Sequence, residues 1–385
     1  MTRRVLLMIS SMRGGGSEQQ TLLLLKHLDR SRFTPHLYLL NRVGELLDAV
    51  PKDVCVHAFD DQSFESSFYF PGRILRHQVR HLKQILTANS IDVVYDRTFH
   101  MSMIAGQACK AEEIPRVSTI VSPPHHALPL VEQRFVSLKR RRLRQAYHDS
   151  YQVLAVSRVA ADSAESYYSL PAGSVEVVPN PVEIVVSTNA KAVGDESSAP
   201  CVTFVCVGRM TAEKGHSDLI DAARIAQQEW TSDRPFRILM VGDGPLRSDL
   251  ERQASEIASP HRIEFIGRKN DVAPIIATSD ALVLPSHFEG MPNVVLESMA
   301  LATPVIATRA GGTVELEREE PTVLWAEPRN PRSIAKAMLD FATNPTDAER
   351  RVSAATQLVR DHHDVTSTTR RIEKYLERAC VSTDT

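Results

Sequence analysis

Five cysteines are scattered through 385 residues, at Cys55, Cys109, Cys201, Cys206 and Cys380. None forms a CxxC pair or lies at a zinc spacing from histidine, so the chain shows neither a disulfide framework nor a zinc fingerprint, and the odd set argues for reduced thiols in a cytoplasm. No apolar stretch approaches the roughly 18 residues of a membrane span. The opening MTRRVLLMISSMRGGG holds two arginines and a short apolar run. That run ends in a charged glycine loop and reads as a first strand rather than a signal peptide. Only 6% of residues are aromatic and the net charge is −2, which argues against a nucleic-acid partner. Neither GxxxxGK[ST] nor GxGxxG fits the basic turn near residue 209, so the P-loop and dinucleotide readings lose their fingerprint.

What is present suits a two-domain α/β protein. Hydrophobic residues make up 43% and charged ones 24%, enough for sizeable cores with an ordinary surface. Strand-then-helix patterns recur, as in VLLMIS with TLLLLKHL, VVYDR with SMIAGQACK and RILMVG with LRSDLERQA. That alternation predicts parallel sheets. The aperiodic stretch from Val186 to Pro200, rich in Ser, Ala, Thr and Lys, reads as the interdomain linker. The expected division is 1–188, 189–365, and a terminal helical segment 366–385 with Ile372, Tyr375 and Leu376 on one face.

The most informative run is SDALVLPSHFEGMPNVVLESMALATPVIATRAGGTVE, residues 279–315. Ala281 to Pro285 reads as a buried parallel strand. Phe288 to Met291 form a loop, Pro292 suits a first helical position, and the helix continues to Ala300 with Val295, Leu296 and Met299 to pack. The helix N-terminus then points at the strand's carboxyl edge, where free amides and the helix dipole suit phosphate. Open α/β sheets bind ligands at that edge. Glu297, about one turn in, can accept bonds from a ribose diol, and Glu289 can do the same for sugar hydroxyls. A glycosidase pair fits less well, since retaining enzymes hold their carboxyl groups about 5 Å apart and eight helical residues span about 12 Å.

A second constellation is VTFVCVGRMTAEKGHSDLIDAARI, residues 202–225. A buried strand ends at Val207, Gly208 is expected to allow a tight turn, and Arg209 and Lys214 precede an amphipathic helix. Two cations at such a turn suit a diphosphate, Arg as a fork and Lys as a point charge. A solvated basic turn is the bland alternative.

VGRMTAEKG, VGDGP, FIGRKNDV, LVLPSHFEGMPNVVLESMALATPVIAT and AGG stand in one order from about Val202 to Leu316. In this the chain resembles the nucleotide-sugar domain of the family 4 (group 1) glycosyltransferases. The resemblance extends more weakly to GGGSEQQTLLLLKHL, AVSRVAADSAESY and VEVVPNPVEI, and so covers most of the chain. It implies the GT-B fold, two Rossmann-like doubly wound parallel-sheet domains facing a central cleft, with acceptor-binding in 1–188 and donor-binding in 189–365. The terminal helix would pack back on the first domain. It also implies sugar transfer from a nucleotide diphosphate donor with retention and without a metal or other cofactor. Arg209 and Lys214 match the positions that hold the diphosphate, Glu297 the ribose contact, and Glu289 the carboxylate facing the donor sugar. Gly290, Met291, Pro292 and Asn293 match the turn whose amides meet sugar and phosphate, Gly208 belongs to the diphosphate turn, and Gly15 and Gly16 match the N-terminal loop. Many members carry a histidine directly after the strand that PRVSTIV would form. Here the chain reads SPPHHALP, leaving His125 and His126 as candidates for the reacting centre, with His100 behind them. NPVEI, Asn180 to Ile184, replaces the usual Asn-Gly-Val-Asp.

Residues 1–185 hold 22 Lys and Arg against 18 Asp and Glu, and the remainder 23 against 29. The acceptor half is therefore the basic one. Its segment 136–149 places Lys139, Arg140, Arg141, Arg142 and Arg144 on a helix near Phe135, Val136 and Leu143. Such a helix suits an anionic lipid surface or a phosphorylated acceptor, beside the plainer reading of a solvated face. The expectation is a hexosyl-transferring enzyme of glycan, polysaccharide or glycolipid synthesis with a UDP-sugar donor and a glycan or lipid-linked acceptor. It would work in the cytoplasm or at the inner face of a membrane. The alternatives are a non-catalytic nucleotide-sugar-binding partner subunit and a nucleotide-sugar epimerase or phosphorylase on the same scaffold.

Overall fold

Strands such as Val5–Ile9 and Ala281–Leu284 are apolar on both faces, and each becomes a central strand with no exposed side, as helix-covered parallel sheets require. The computed structural model describes residues 2–61, 72–131, 134–184 and 201–381. The chain divides into two units, Met1–Pro181 with Val365–Thr385, and Val182–Asp364. The division falls at Pro181–Val182 rather than at residue 188. The Val182 amide donates to the His363 carbonyl and Val182 bridges Asp364, so the outgoing and returning passages of the chain lie side by side. The linker expected at 186–200 lies outside the described residues.

Among the described residues the first unit holds seven parallel strands: β1 (Arg3–Ile9), β2 (Phe33–Leu39), β3 (Cys55–Ala58), β4 (Val93–Arg97), β5 (Arg116–Ile120), β6 (Gln152–Ala155) and β7 (Val175–Val177). Their order is β3-β2-β1-β4-β5-β6-β7. The terminal helix Val365–Val381 belongs to this unit and contributes Ile372, Leu376, Ala379 and Cys380 to its core. Glu373 on that helix pairs with Arg32 at 2.9 Å and accepts from the Asp29 amide.

Among the described residues the second unit holds six: β8 (Val202–Val207), β9 (Phe236–Val241), β10 (Arg262–Gly267), β11 (Ala281–Leu284), β12 (Val305–Thr308) and β13 (Leu324–Ala326). They lie in the order β10-β9-β8-β11-β12-β13, all parallel. In both sheets the order reverses beside the unit's first strand, at β1/β4 and at β8/β11. The loops leaving those strands diverge to opposite faces of the sheet, which opens a crevice at the carboxyl edge.

Both units repeat one device at that edge. In the first, the Met12 amide donates to the Val43 carbonyl (2.9 Å) and the Leu46 amide to the Met12 carbonyl (3.0 Å). In the second, Met210 donates to Asp243 (2.9 Å) and Leu246 to Met210 (3.2 Å). Gly44 at φ +124 seats where a Cβ would stand 2.1 Å from the Met12 carbonyl, and Gly242 at φ +141 where a Cβ would stand 2.0 Å from the Gly208 oxygen. The second loop of each sheet thus braces the first, and only glycine permits both the backbone angle and the approach.

Candidate functional site

In the second unit β8 lies against β11, with Ala281 opposite Phe204 and Leu282 opposite Val205. This brings the basic turn after β8 to the glutamate loop after β11. The His287 amide donates to the Glu213 carbonyl at 2.8 Å, and its Nε2 lies 2.8 Å from Asp218 Oδ2. Lys214 Nζ reaches Glu289 Oε1 at 2.5 Å. Gly215, at φ +67, lets the turn close, because a Cβ there would stand 2.0 Å from the Pro285 oxygen. The tight turn expected at Gly208 is therefore made elsewhere. A Cβ at Gly208 would meet the His216 ring at 3.7 Å and Lys214 Cγ at 4.0 Å, both ordinary contacts, while the left-handed geometry falls on Gly215 and Gly242.

Glu289 is buried and held from several sides. Ser286 Oγ donates to the same Oε1 at 2.7 Å, and Thr308 Oγ1 in turn donates to the Ser286 carbonyl. The Gly312 amide donates to the Glu289 carbonyl at 3.1 Å, and Gly311 (φ +55) passes so close that a Cβ would stand 2.1 Å from that carbonyl. The Gly311-Gly312 turn after β12 thus fixes the backbone that presents the carboxylate.

The helix that follows β11 spans Asn293–Ala300, with Pro292 as its N-cap rather than its first residue. The Pro292 side chain makes no capping hydrogen bond. Val295, Leu296 and Met299 pack inward as expected. Gly290, Met291 and Pro292 are buried and Asn293 is half-buried. Glu297 is half-buried with no hydrogen bond to its carboxylate among the described residues. Burial, with the Asp271 carboxylate adding to it, pushes its pKa up to about 7. Across the window from 4.5 to about 7 the folded chain keeps a proton that the unfolded chain releases, so this group lowers stability as pH rises through that window.

Arg209 is exposed, and among the described residues its guanidinium has neither a hydrogen-bond nor an ion-pair partner. The two cations of the turn therefore differ, one uncommitted and one neutralised by Glu289. His216 opens the next helix, His216–Glu229, with its ring 3% exposed and both nitrogens unpartnered among the described residues. Burial first, and Lys214 second, push its pKa down to about 4. It is a neutral ring beneath the cationic turn. The sequence reading missed His216, Ser286, His287, Thr308, Asp218 and Gly242. Glycine at a strand end was a usable signal for Gly242, but nothing local distinguishes the others.

The first unit carries the remaining candidates. Gly15 caps the helix Gly16–His27 at the carboxyl edge of β1, with Gly14 at φ +85 before it. His125 and His126 are exposed on the helix Pro124–Val131 after β5. His125 Nδ1 lies 3.1 Å from Ser163 Oγ, with its ring edge-on to Tyr167 at 4.7 Å. His100 Nε2 lies 3.1 Å from Gln78 Oε1. The basic helix Val136–His148 buries Leu143 rather than presenting it, and Arg140 lies over the Tyr167 ring at 4.4 Å. The exposed apolar side chains instead flank its start: Leu130, Val131, Phe135 and Leu138.

Residues 14–185 match the Glycosyltransferase Family 4 model and residues 201–344 the model of Glycosyl transferases group 1. The chain belongs to the group 1, family 4 glycosyltransferases. This glycosyltransferase is 28% identical over 200 residues to the uncharacterized glycosyltransferase MJ1607 of Methanocaldococcus jannaschii, covering 49% of this chain and 50% of that protein. It is 30% identical over 155 residues to the lipopolysaccharide core biosynthesis glycosyltransferase LpsE of Rhizobium meliloti, covering 40% and 43%. The chain thus spans half or less of the length of these two relatives. In fold it matches Anabaena Alr3699/HepE, crystallised with UDP and glucose, at a TM-score of 0.77 and 20% identity over 97% of this chain and 99% of that one. Two parallel sheets with this match make the glycosyltransferase a GT-B protein. No helix among its described residues is long and apolar enough to cross a membrane.

Proposed function

We propose that the second unit binds a nucleoside diphosphate sugar, UDP-linked by preference, and that the enzyme moves its hexose to an acceptor hydroxyl with retention. The observation that carries this reading is the meeting of Arg209, Lys214, Glu289 and the N-terminus of the helix Asn293–Ala300 at one switch point of the sheet. Arg209 and Lys214 stabilise charge as it develops on the departing diphosphate. They take the part a divalent metal plays elsewhere, so the reading needs no metal or other cofactor. Glu297 accepts from the ribose hydroxyls in its charged form and Glu289 from the sugar. The solved UDP and glucose complex of Alr3699/HepE supports UDP as the first donor to try, and the lipopolysaccharide role of LpsE supports a glycan or lipid-linked acceptor.

Calorimetric titration with UDP, GDP, ADP and their sugars tests this at pH 6 and pH 8. One nucleotide family is expected to bind, and more tightly at pH 8, because the Glu297 carboxylate forms as pH rises through its pKa of about 7. Glu297→Gln should weaken binding by roughly tenfold at pH 8, one charge-assisted hydrogen bond, and flatten its share of the pH dependence. Equal affinity of variant and wild type at both pH values would remove Glu297 from the site.

A peripheral contact with an anionic bilayer belongs to the same reading. Leu130, Val131, Phe135 and Leu138 are 55, 67, 64 and 48% exposed, and Arg134, Arg141 and Arg144 are exposed beside them. Between Arg134 and His148 there is no acidic residue. Exposed apolar side chains in a segment rich in cations suit the headgroup boundary, where each cation contributes about 1 kcal/mol. Co-sedimentation should be stronger with phosphatidylglycerol vesicles than with phosphatidylcholine ones and should fall several-fold in Phe135→Ser/Leu138→Ser. Wild type that ignores the anionic vesicles at low salt would rule the contact out.

A further inference from the structure

We propose that Glu289 makes this site discriminate between the intact nucleotide sugar and the nucleoside diphosphate left after transfer, by competing with the diphosphate for Lys214. The inference rests on the donor reading above and goes beyond it. Glu289 is there assigned to the sugar, yet it holds the ammonium that the diphosphate needs, at 2.5 Å.

The carboxylate cannot simply move aside. Its Oε1 takes both Lys214 and Ser286, and its carbonyl is fixed by the Gly312 amide. Its side chain is only 10% exposed, against 29% for Lys214. The flexible partner is therefore the lysine, whose ammonium has three donors on a four-carbon stem. Arg209, uncommitted on the same turn, meets the diphosphate first without giving anything up.

What Lys214 does next depends on what arrives with the phosphates. A full donor brings sugar hydroxyls, which can donate to Glu289 and replace the bonds that Lys214 withdraws. A bare nucleoside diphosphate brings none. It leaves a buried carboxylate either facing phosphate oxygens of like charge or retaining the lysine, and either arrangement weakens binding. Binding strength is thus conditional on the sugar, and the product is released once the sugar has gone. Product release limits turnover in many enzymes, so a carboxylate that disfavours the product serves the cycle.

The test compares UDP with UDP-glucose by calorimetry on the full chain, with GDP and GDP-mannose run in the same way. Wild type is expected to bind the sugar nucleotide more tightly than the diphosphate. In Glu289→Gln the diphosphate should bind about tenfold more tightly, the scale of one charged contact, while the sugar nucleotide gains nothing, so the ratio collapses. The product inhibition constant should fall in parallel. Glu289→Asp, which keeps the charge but withdraws it by one methylene, should move the ratio the same way by less, and it provides a second variant should the amide not fold. Weakening of both ligands by one factor overturns the inference, because Glu289 would then act only on structure. Weakening of the sugar nucleotide alone, with diphosphate affinity unchanged, also overturns it, because that describes a sugar contact without competition. Wild type that binds neither member of either pair overturns the donor reading and this inference together.

Discussion

Lys214→Ala is expected to lower affinity for the sugar nucleotide by on the order of 100-fold and to slow transfer at least as much. Loss of charged hydrogen bonds to the diphosphate accounts for about 1.5–3 kcal/mol. For the bare nucleoside diphosphate the substitution also leaves Glu289, buried and still held by Ser286, as a carboxylate without its lysine beside the phosphates. The expected loss therefore exceeds that of Arg209→Ala, which removes an exposed cation with no internal carboxylate to expose. A double-mutant cycle separates the two contributions. If the carboxylate is part of the loss, Lys214→Ala/Glu289→Gln should regain some affinity for the nucleoside diphosphate, with a coupling of about 0.5–3 kcal/mol. Wild-type turnover in Lys214→Ala would sink the assignment of the basic turn as the diphosphate site.

Arg116→Met is expected to destabilise the first unit by about 3–5 kcal/mol, the cost of stranding a buried charge. Asp96 is fully buried and Arg116 only 2% exposed, with Nη1 3.1 Å from Asp96 Oδ2. Ser118 Oγ donates to the same carboxylate oxygen at 2.8 Å, and Ser102 donates to the other. The second guanidinium nitrogen donates to the Ala146 carbonyl, which ties β5 to the basic helix. Gly106 permits that helix to lie close, since a Cβ there would stand 2.5 Å from the Ala146 Cβ. For a unit of this size each kcal/mol lowers the midpoint by roughly 2–4 °C, so a shift of about 10 °C is expected. Both tryptophans, Trp230 and Trp325, lie in the second unit. Circular dichroism should therefore show the early transition while tryptophan fluorescence keeps its midpoint. Asp96→Leu with Arg116→Met should cost less than Arg116→Met alone, since the pair then leaves together. An unchanged circular-dichroism midpoint in Arg116→Met would show that the ion pair contributes little.

The sequence by itself determined the class of fold and the identity of the cations and carboxylates. Apolar runs of four or five residues such as Ala281–Leu284 and Val5–Ile9, alternating with amphipathic stretches, admit little besides parallel sheets covered by helices. The residues from Val202 to Leu316 preserve enough local order for Arg209, Lys214, Glu289 and Glu297 to stand out. Those signals are local, carried by residues within one strand, loop and helix. Strand order is not local. That β8 lies against β11, and so that Lys214 meets Glu289 across 75 positions, follows from how the sheet closes its core. The same holds for Glu297, whose raised pKa comes from burial and from Asp271, and for Asp96 and Arg116, which read as ordinary charges on two strands and form a buried pair only because β4 and β5 are neighbours. Glycine was legible as a turn but not as a particular turn. Gly208 was expected to make the tight turn and an added Cβ there would meet only ordinary contacts, while Gly215 and Gly242 are required by carbonyls contributed by distant loops. Tertiary structure decided which charges neutralise one another, because desolvation and pairing depend on distances that only the packed sheet sets.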